Sequence, residues 1–253
     1  MKAMILAAGL GTRLRPLTDE RPKALVEIDG RTLLEITLSR LRSFGVSEVI
    51  VNVHHFADMI VEYLRKNGNF GMTIEVSRED ELLDTGGGLK KAAWFFKTSG
   101  GNSEQEAPFI LHNVDVLSTI DLECMRRLHQ QTQALATLAV QDRETSRYLL
   151  FDERQELCGR RAGHNHHQSP ELVRPADGVQ AYAFSGIHVI SPRLLSLMTE
   201  GGAFSIITSY LRLAAQGEKI CAFRADEYYW RDLGKPENVL QAADDVKQKR
   251  ITP

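Results

Sequence analysis

Gly9-Leu10-Gly11-Thr12-Arg13-Leu14-Arg15, with Lys23 following closely, gathers the groups that hold a polyphosphate. Glycines at 9 and 11 let the backbone turn tightly and bring amide N–H groups close to an anion. Arg13, Arg15 and Lys23 add fixed positive charge, and guanidinium and ammonium groups are strong partners of phosphate oxygens. A dinucleotide-binding loop would need a third glycine where Leu14 stands, and a Walker A loop would need a Gly-Lys-Ser/Thr ending that is missing. A plain strand-to-loop turn with surface arginines is the competing reading, and it leaves the coincidence of so many phosphate-binding groups unexplained.

Four further places carry chemistry. Asp115 follows the apolar run Phe109-Ile110-Leu111. A carboxylate at such a strand end can hold a divalent cation over phosphates, since Mg2+ prefers hard oxygen ligands, although a lone Asp there is also a common turn or cap residue. Asp232 precedes Gly234 and the final helical pattern. Gly86-Gly87-Gly88, after Thr85, would allow a flat ring to lie against backbone, with main-chain groups reading its edge. Ser185-Gly186 lies inside a strand pattern, where glycine marks a bulge or a close approach and Ser185 could bond a hydroxyl. His164, His166 and His167 have no partnering Cys or Asp cluster, and the His54-His55 pair reads as structural.

The string from Gly9 to Thr18, followed by Pro22-Lys23, resembles the signature of the sugar-1-phosphate nucleotidyltransferases, the nucleotide-sugar pyrophosphorylases. Tyr229 to Glu237 resembles that family's late Trp-x-Asp-x-Gly segment. The Leu-x-Thr-Gly-Gly-Gly form ending at Gly88 is similar to the branch holding N-acetylmuramate 1-phosphate uridylyltransferase, with mannose- and heptose-1-phosphate guanylyltransferases nearby.

The resemblance implies an α/β fold, three-layer and Rossmann-like (GT-A-type), with a mixed, mostly parallel central sheet and a small antiparallel addition. It implies formation of an NDP-sugar and pyrophosphate from an NTP and a sugar 1-phosphate, in nucleotide-sugar supply for the cell wall. UTP is preferred on the glycine pattern alone, and uracil, guanine, cytosine and thymine stay open. Arg13 and Lys23 are the implied catalytic residues. Arg13 would hold the β- and γ-phosphates, and Lys23 the α-phosphate or the incoming sugar phosphate. Leu6, Ala7, Ala8, Gly9, Gly11, Thr12, Thr85, Gly86 and Gly87 would line the nucleotide site together with them. Asn113, Ser185 and Gly186 would meet the sugar phosphate, and Asp115 and Asp232 would bind Mg2+. Val114 stands where the family commonly has glycine, a change that could reshape the backbone there. Two other classes fit less well. A catalytically silent nucleotide-sugar sensor would be expected to lose Arg13, Lys23 or a metal carboxylate, and an enzyme acting on a phosphorylated alcohol would need no sugar pocket.

The elements that must position these residues follow from length and pattern. The chain has 253 residues, 43% of them apolar and 25% charged. It is expected to form one domain, 1–253, with a nucleotide-binding half at 1–132 and a sugar-binding half at 133–253. A net charge of −2 gives no reason to expect nucleic acid or a membrane as partner. Three cysteines without metal-ligand spacing suit free thiols in the cytoplasm. Self-association is expected through the stretch 141–180, where the resemblance is loosest. Strands are predicted at 4–8, 49–53, 72–76 and 108–111, alternating with helices at 33–44, 59–64 and 86–97. That order predicts a parallel sheet with Gly9, Asp84–Gly86 and Asn113–Asp115 converging on one edge. Further strands are predicted at 134–140, 148–151 and 181–190, helices at 204–216 and 236–247, and loops at 99–106 and 160–177.

Overall fold

The computed structural model describes residues 1–97, 107–162 and 170–251. The predicted loop at 99–106 and the histidines His164, His166 and His167 lie outside the described residues. The chain begins with β1 (Lys2–Leu6), a short hairpin of β2 (Glu27–Ile28) and β3 (Arg31–Thr32), and α1 (Leu33–Ser43). It continues through β4 (Glu48–Val53), α2 (Ala57–Lys66), β5 (Thr73–Arg78), α3 (Asp84–Lys91) and β6 (Phe109–Asn113). After β7 (Val116–Ser118) and α4 (Leu122–Thr132) come β8 (Ala136–Gln141), β9 (Arg147–Phe151), β10 (Leu157–Ala162), β11 (Glu171–Leu172) and β12 (Gln180–Ile190). The last elements are α5 (Arg193–Leu197), α6 (Ile206–Ala215), β13 (Ile220–Arg224), β14 (Trp230–Asp232) and α7 (Pro236–Lys247).

Ten strands form one sheet in the order β11-β10-β9-β12-β6-β1-β4-β5, with β8 paired to β12 and β13 to β8. Strands β6, β1, β4 and β5 are parallel, so their carboxyl ends share one edge. Successive residues of β1 are buried in opposite directions. Ala3 and Ile5 join one apolar cluster with α1 and α7, whereas Met4 joins another with Leu89 of α3 and Tyr210 of α6. Burial on both faces gives helix, sheet and helix layers, the arrangement that near-continuous apolar strands require.

Helix α1 shows how local sequence fixes such an element. The Thr32 hydroxyl accepts a hydrogen bond from the Glu35 amide, and the chain leaves the helix through Gly45 at φ 77°. Gly45 N–H donates to the Arg42 carbonyl at 3.0 Å and Val46 N–H to that of Leu41 at 3.1 Å, a glycine C-cap that a side chain would strain.

Several expectations are corrected. Strand β1 lies at Lys2–Leu6, so Ala7 and Ala8 already belong to the loop. The helix expected over 86–97 is α3 followed by a separate 3-10 turn at Ala93–Phe96. The expected antiparallel addition is present and continues the same sheet, because β12 is hydrogen-bonded directly to β6. The loop expected over 160–177 is corrected at both ends of its described part: β10 runs on to Ala162, its alternation hidden by Arg160 and Arg161, and β11 forms at Glu171–Leu172. Gly159 is required there, since a Cβ would meet the Glu171 carbonyl oxygen at 2.3 Å.

Candidate active site

Lys23 and Asp115 meet in a direct ion pair between Nζ and Oδ2, both side chains mostly buried. Lys23 opens a 3-10 turn behind Pro22, and Asp115 follows β6. The intervening Val114 donates its amide to the Leu6 carbonyl at 3.1 Å, which ties the end of β6 to the end of β1. Val114 needs no glycine-like backbone: its side chain is 4% exposed and packs into the core. The departure from the usual glycine is therefore absorbed inward, away from the loop.

Asp232, far away in sequence, is brought beside Asp115. Strand β14 pairs antiparallel with β7, setting Asp232 opposite Val116. Leu233 N–H then donates to the Asp115 carbonyl at 2.8 Å. Gly234 lies between Asp232 and Arg13, where a Cβ would meet Asp232 Oδ1 at 2.5 Å and an Arg13 guanidinium nitrogen at 2.9 Å. Only glycine leaves room for both. Gly234 N–H also donates to Asp232 Oδ1 at 2.6 Å, fixing the carboxylate's direction.

The loop after β1 completes the cluster. Gly11 adopts φ 66° and is held by the Thr18 hydroxyl, which donates to its carbonyl at 2.8 Å. Gly9 is open, with no atom near the position of a Cβ. Among the described residues, the amides of residues 9–13 donate to no protein acceptor, and the 3-10 turn at Thr12–Leu14 has no side-chain cap. Such a run of unengaged donors, flanked by Arg13 and Lys23, is an anion cradle. Arg15 points elsewhere, to Asp19 at 3.4 Å on the surface.

Behind the loop lies a buried polar network that the sequence does not announce. Asn52 Oδ1 accepts from Ala7 N–H at 2.8 Å, and Asn52 Nδ2 donates to Glu79 Oε1 at 2.7 Å. Glu79, 4% exposed, also accepts from Leu83 N–H at 3.0 Å. One carboxylate thus couples the phosphate loop to the glycine segment. His54 joins it through Nδ1 and the Glu79 carbonyl at 2.8 Å, consistent with a structural histidine.

The three glycines serve packing directly. Phe204 carbonyl accepts from the amides of Gly86 and Gly87 at 2.9 and 3.3 Å, and Phe204 N–H donates to the Leu83 carbonyl at 3.1 Å. A Cβ on Gly86 would sit 2.3 Å from the Phe204 ring, and one on Gly87 would sit 2.5 Å from the Gly202 carbonyl oxygen. Thr85 Oγ1 accepts from Ile206 N–H at 3.0 Å. The edge-reading amides expected at 86 and 87 are therefore engaged within the protein.

On the far side, Gly186 is a bulge at φ 76° in β12, and a Cβ there would meet Asn113 Nδ2 at 2.9 Å. Asn113 and Gly186 are thus brought together. Ser185 does not join them: it is fully buried, its hydroxyl lies out of solvent, and its carbonyl accepts from Trp230 Nε1 at 2.7 Å. The hydroxyl contact expected from Ser185 is replaced by a backbone anchor for Trp230. Arg143 guanidinium stacks on that indole at 3.7 Å from the ring centroid. Burial lowers the Arg143 pKa, opposed by the nearby Asp232 carboxylate. Arg143 carries no sequence signal, lying in the stretch where the resemblance is loosest. His112, directly under Asn113, is fully buried and pushed down to about 4 by desolvation.

The parallel strands end in a cationic glycine loop beside two carboxylates, an arrangement that can bind phosphates. Residues 2–160 match the nucleotidyl transferase family. The chain belongs to that family and is a nucleotidyltransferase of the sugar-1-phosphate class. It is 32% identical over 252 residues to the N-acetylmuramate alpha-1-phosphate uridylyltransferase of Caulobacter vibrioides, covering 95% of this chain and 94% of that one. It is 28% identical to the mannose-1-phosphate guanyltransferase of Candida albicans, covering 95% of this chain and 63% of that enzyme. Among solved structures, HddC from Yersinia pseudotuberculosis complexed with GMP-PN shares the fold, with a TM-score of 0.72 at 21% identity over 97% of this chain and 99% of that one.

Proposed function

We propose that the chain transfers a nucleoside monophosphate from UTP to an N-acetylmuramate- or hexose-type 1-phosphate. A phosphate oxygen of the sugar 1-phosphate attacks the α-phosphorus as the bond to the β-phosphate bridging oxygen breaks, and pyrophosphate leaves with that electron pair. A phosphate monoester, with a second pKa near 6, is already largely dianionic at neutral pH. No general base is needed, and the protein's task is alignment and charge neutralisation. The carrying observation is the junction of Lys23–Asp115 with Asp232 and Arg13 beside unengaged loop amides.

Arg13 holds the phosphates that leave, and Lys23 holds the α-phosphate or the incoming sugar phosphate. The loop from Leu6 to Thr12 cradles the chain of phosphates, with Thr85, Gly86 and Gly87 bordering the base. Asn113 and Gly186 border the acceptor. The nucleotide falls to the half 1–132 and the sugar to 133–253. Asp115 and Asp232 suit Mg2+: they are hard oxygen donors in adjacent register, in a cradle that a Cβ at Gly234 would fill. Mg2+ held there would neutralise charge on the phosphates. Among the described residues no helix is long and apolar enough to cross a membrane, and the three cysteines are free thiols. The free thiols support a cytoplasmic enzyme.

The GTP-dependent mannose or heptose reaction is the second reading, favoured by the guanyltransferase relatives. Pyrophosphate release with Mg2+, each of UTP, GTP, CTP and dTTP, and a panel of sugar 1-phosphates tests both. Release confined to UTP with N-acetylmuramate or a hexose supports the first reading. Release confined to GTP transfers the assignment to the second, and nucleotide binding without release for any pair sinks both in favour of a sensor.

A further inference from the structure

Half-buried arginines in this protein are mostly neutralised. Arg174 pairs with Asp152 at 2.8 Å, Arg231 with Asp245 at 2.7 Å and Arg212 with Glu200 at 2.8 Å. Arg143 differs from these, as Arg40 and Arg161 also do, each having a buried Nε with no hydrogen-bond partner; of the three, Arg143 is the one that feels the Asp232 carboxylate. Among the described residues it has no carboxylate at ion-pair distance. It is nonetheless held firmly, through the Trp230 ring at 3.7 Å and a hydrogen bond to the Phe184 carbonyl at 2.8 Å. A rigid, partly desolvated guanidinium without a counterion is costly unless an anion joins it during function.

The register places that anion. Gln141 is opposite Ala183, and Ala183 is opposite Tyr148, so these three share one face of the sheet; Arg143 lies just beyond the end of β8 and reaches β12 through the Phe184 carbonyl. The segment Tyr228–Trp230 covers that face, with Gln141 Nε2 donating to the Tyr228 carbonyl at 3.0 Å. Trp230 lies two residues before Asp232 on β14, so its indole carries Arg143 toward the metal-site carboxylates from the β12 side. The loop after β1 reaches the same carboxylates through Arg13 at Gly234 and Lys23 at Asp115. A phosphate brought to these carboxylates would come within reach of Arg143 as well.

Charge supports the same placement. A nucleoside triphosphate and a phosphate monoester bring about six negative charges to a site that already holds two carboxylates. Arg13, Lys23 and a divalent cation offset only part of that total. We propose that Arg143 grips the 1-phosphate of the acceptor sugar and aligns it for attack, which leaves Lys23 to the α-phosphate. This inference rests on the sugar-1-phosphate reading of the site and adds a residue outside the signature segments.

The test compares wild type, Arg143→Gln and Arg143→Lys, using glucose 1-phosphate, mannose 1-phosphate and N-acetylmuramate 1-phosphate as acceptors. NTP binding is measured alongside by calorimetry without acceptor. For every acceptor the wild type uses, Arg143→Gln is expected to raise KM by about ten- to a hundredfold, the range for losing a charged hydrogen bond. NTP affinity should stay within about twofold, and Arg143→Lys should recover part of the loss. Unchanged acceptor KM would overturn the assignment. So would an equal loss of NTP affinity, which puts Arg143 in the nucleotide site or the fold. A loss with N-acetylmuramate 1-phosphate alone, while another acceptor that the wild type uses keeps its KM, overturns it in favour of a carboxylate reader. A wild type that uses none of these acceptors counts against the proposed function itself, and calorimetric titration of each variant with the acceptors then decides the Arg143 contact separately.

Discussion

Arg13 and Asp232 meet across Gly234, and Lys23 meets Asp115 directly, so the four residues read from three separate segments occupy one junction. Their convergence was legible because glycine loops and acidic strand ends keep recognisable residue types. Asn52, Glu79 and Arg143 were not legible, because each acts through partners distant in sequence and belongs to no motif. Arg13→Ala is expected to lower kcat by about 10²-fold or more, as when a donor to developing charge is removed; near-normal turnover in a pyrophosphate-release assay would remove Arg13 from the leaving-group site. Asp232→Asn should raise the Mg2+ concentration needed for half-maximal rate, while chelation should abolish turnover in wild type and added Mg2+ restore it. A metal dependence identical in the variant and wild type would contradict the carboxylate assignment.

Elements were readable where one period dominates. Helix α7 begins at Pro236 and ends at Lys247 as its proline and apolar spacing predict. Helix α4 was not anticipated, although Leu122, Met125 and His129 lie on its buried side behind an Asp121 cap. The ribbon of β7 and β14 is too short for any periodicity, yet it delivers Asp232 to the site. The glycine segment shows how one pattern can serve two purposes. Glycines expected to admit a base are required by Phe204 and Gly202, which leave no room for a Cβ at Gly86 or Gly87. Gly86→Ala is therefore expected to destabilise by about 1–3 kcal/mol despite alanine's better helix propensity, because overpacking against the Phe204 ring outweighs the gain. Thermal melting should show a fall of several degrees, whereas Gly201→Ala, with no atom near its Cβ, should melt close to wild type. Equal melting of the two variants would refute the packing role.

For the whole molecule, the decisive feature is a single sheet shared by both halves through β6 and β12. Its centre buries titrating rings. His112 and His129 are pushed down to about 4 and His188 to about 3, in each case chiefly by desolvation. Unfolded histidine has a pKa near 6.5, so between about pH 6.5 and 4 the unfolded chain binds more protons than the folded one. Stability should be fully present above that window and fall progressively as pH drops through it. Melting temperature against pH measures this. His188→Gln, which keeps a polar partner for the Tyr210 hydroxyl now 2.9 Å from His188 Nδ1, should flatten the slope. An unchanged slope would show that other groups govern the acid limb.

Phosphorus NMR of the protein with Mg2+, UTP and N-acetylmuramate 1-phosphate, repeated with glucose 1-phosphate, most directly tests nucleotidyl transfer at the junction of Arg13, Lys23, Asp115 and Asp232. The account predicts new diphosphate-diester resonances growing in equal amount with pyrophosphate for at least one acceptor, and their loss in Asp115→Asn. Orthophosphate as the only new product, or unchanged spectra with UTP and GTP alike while nucleotide remains bound, would contradict it.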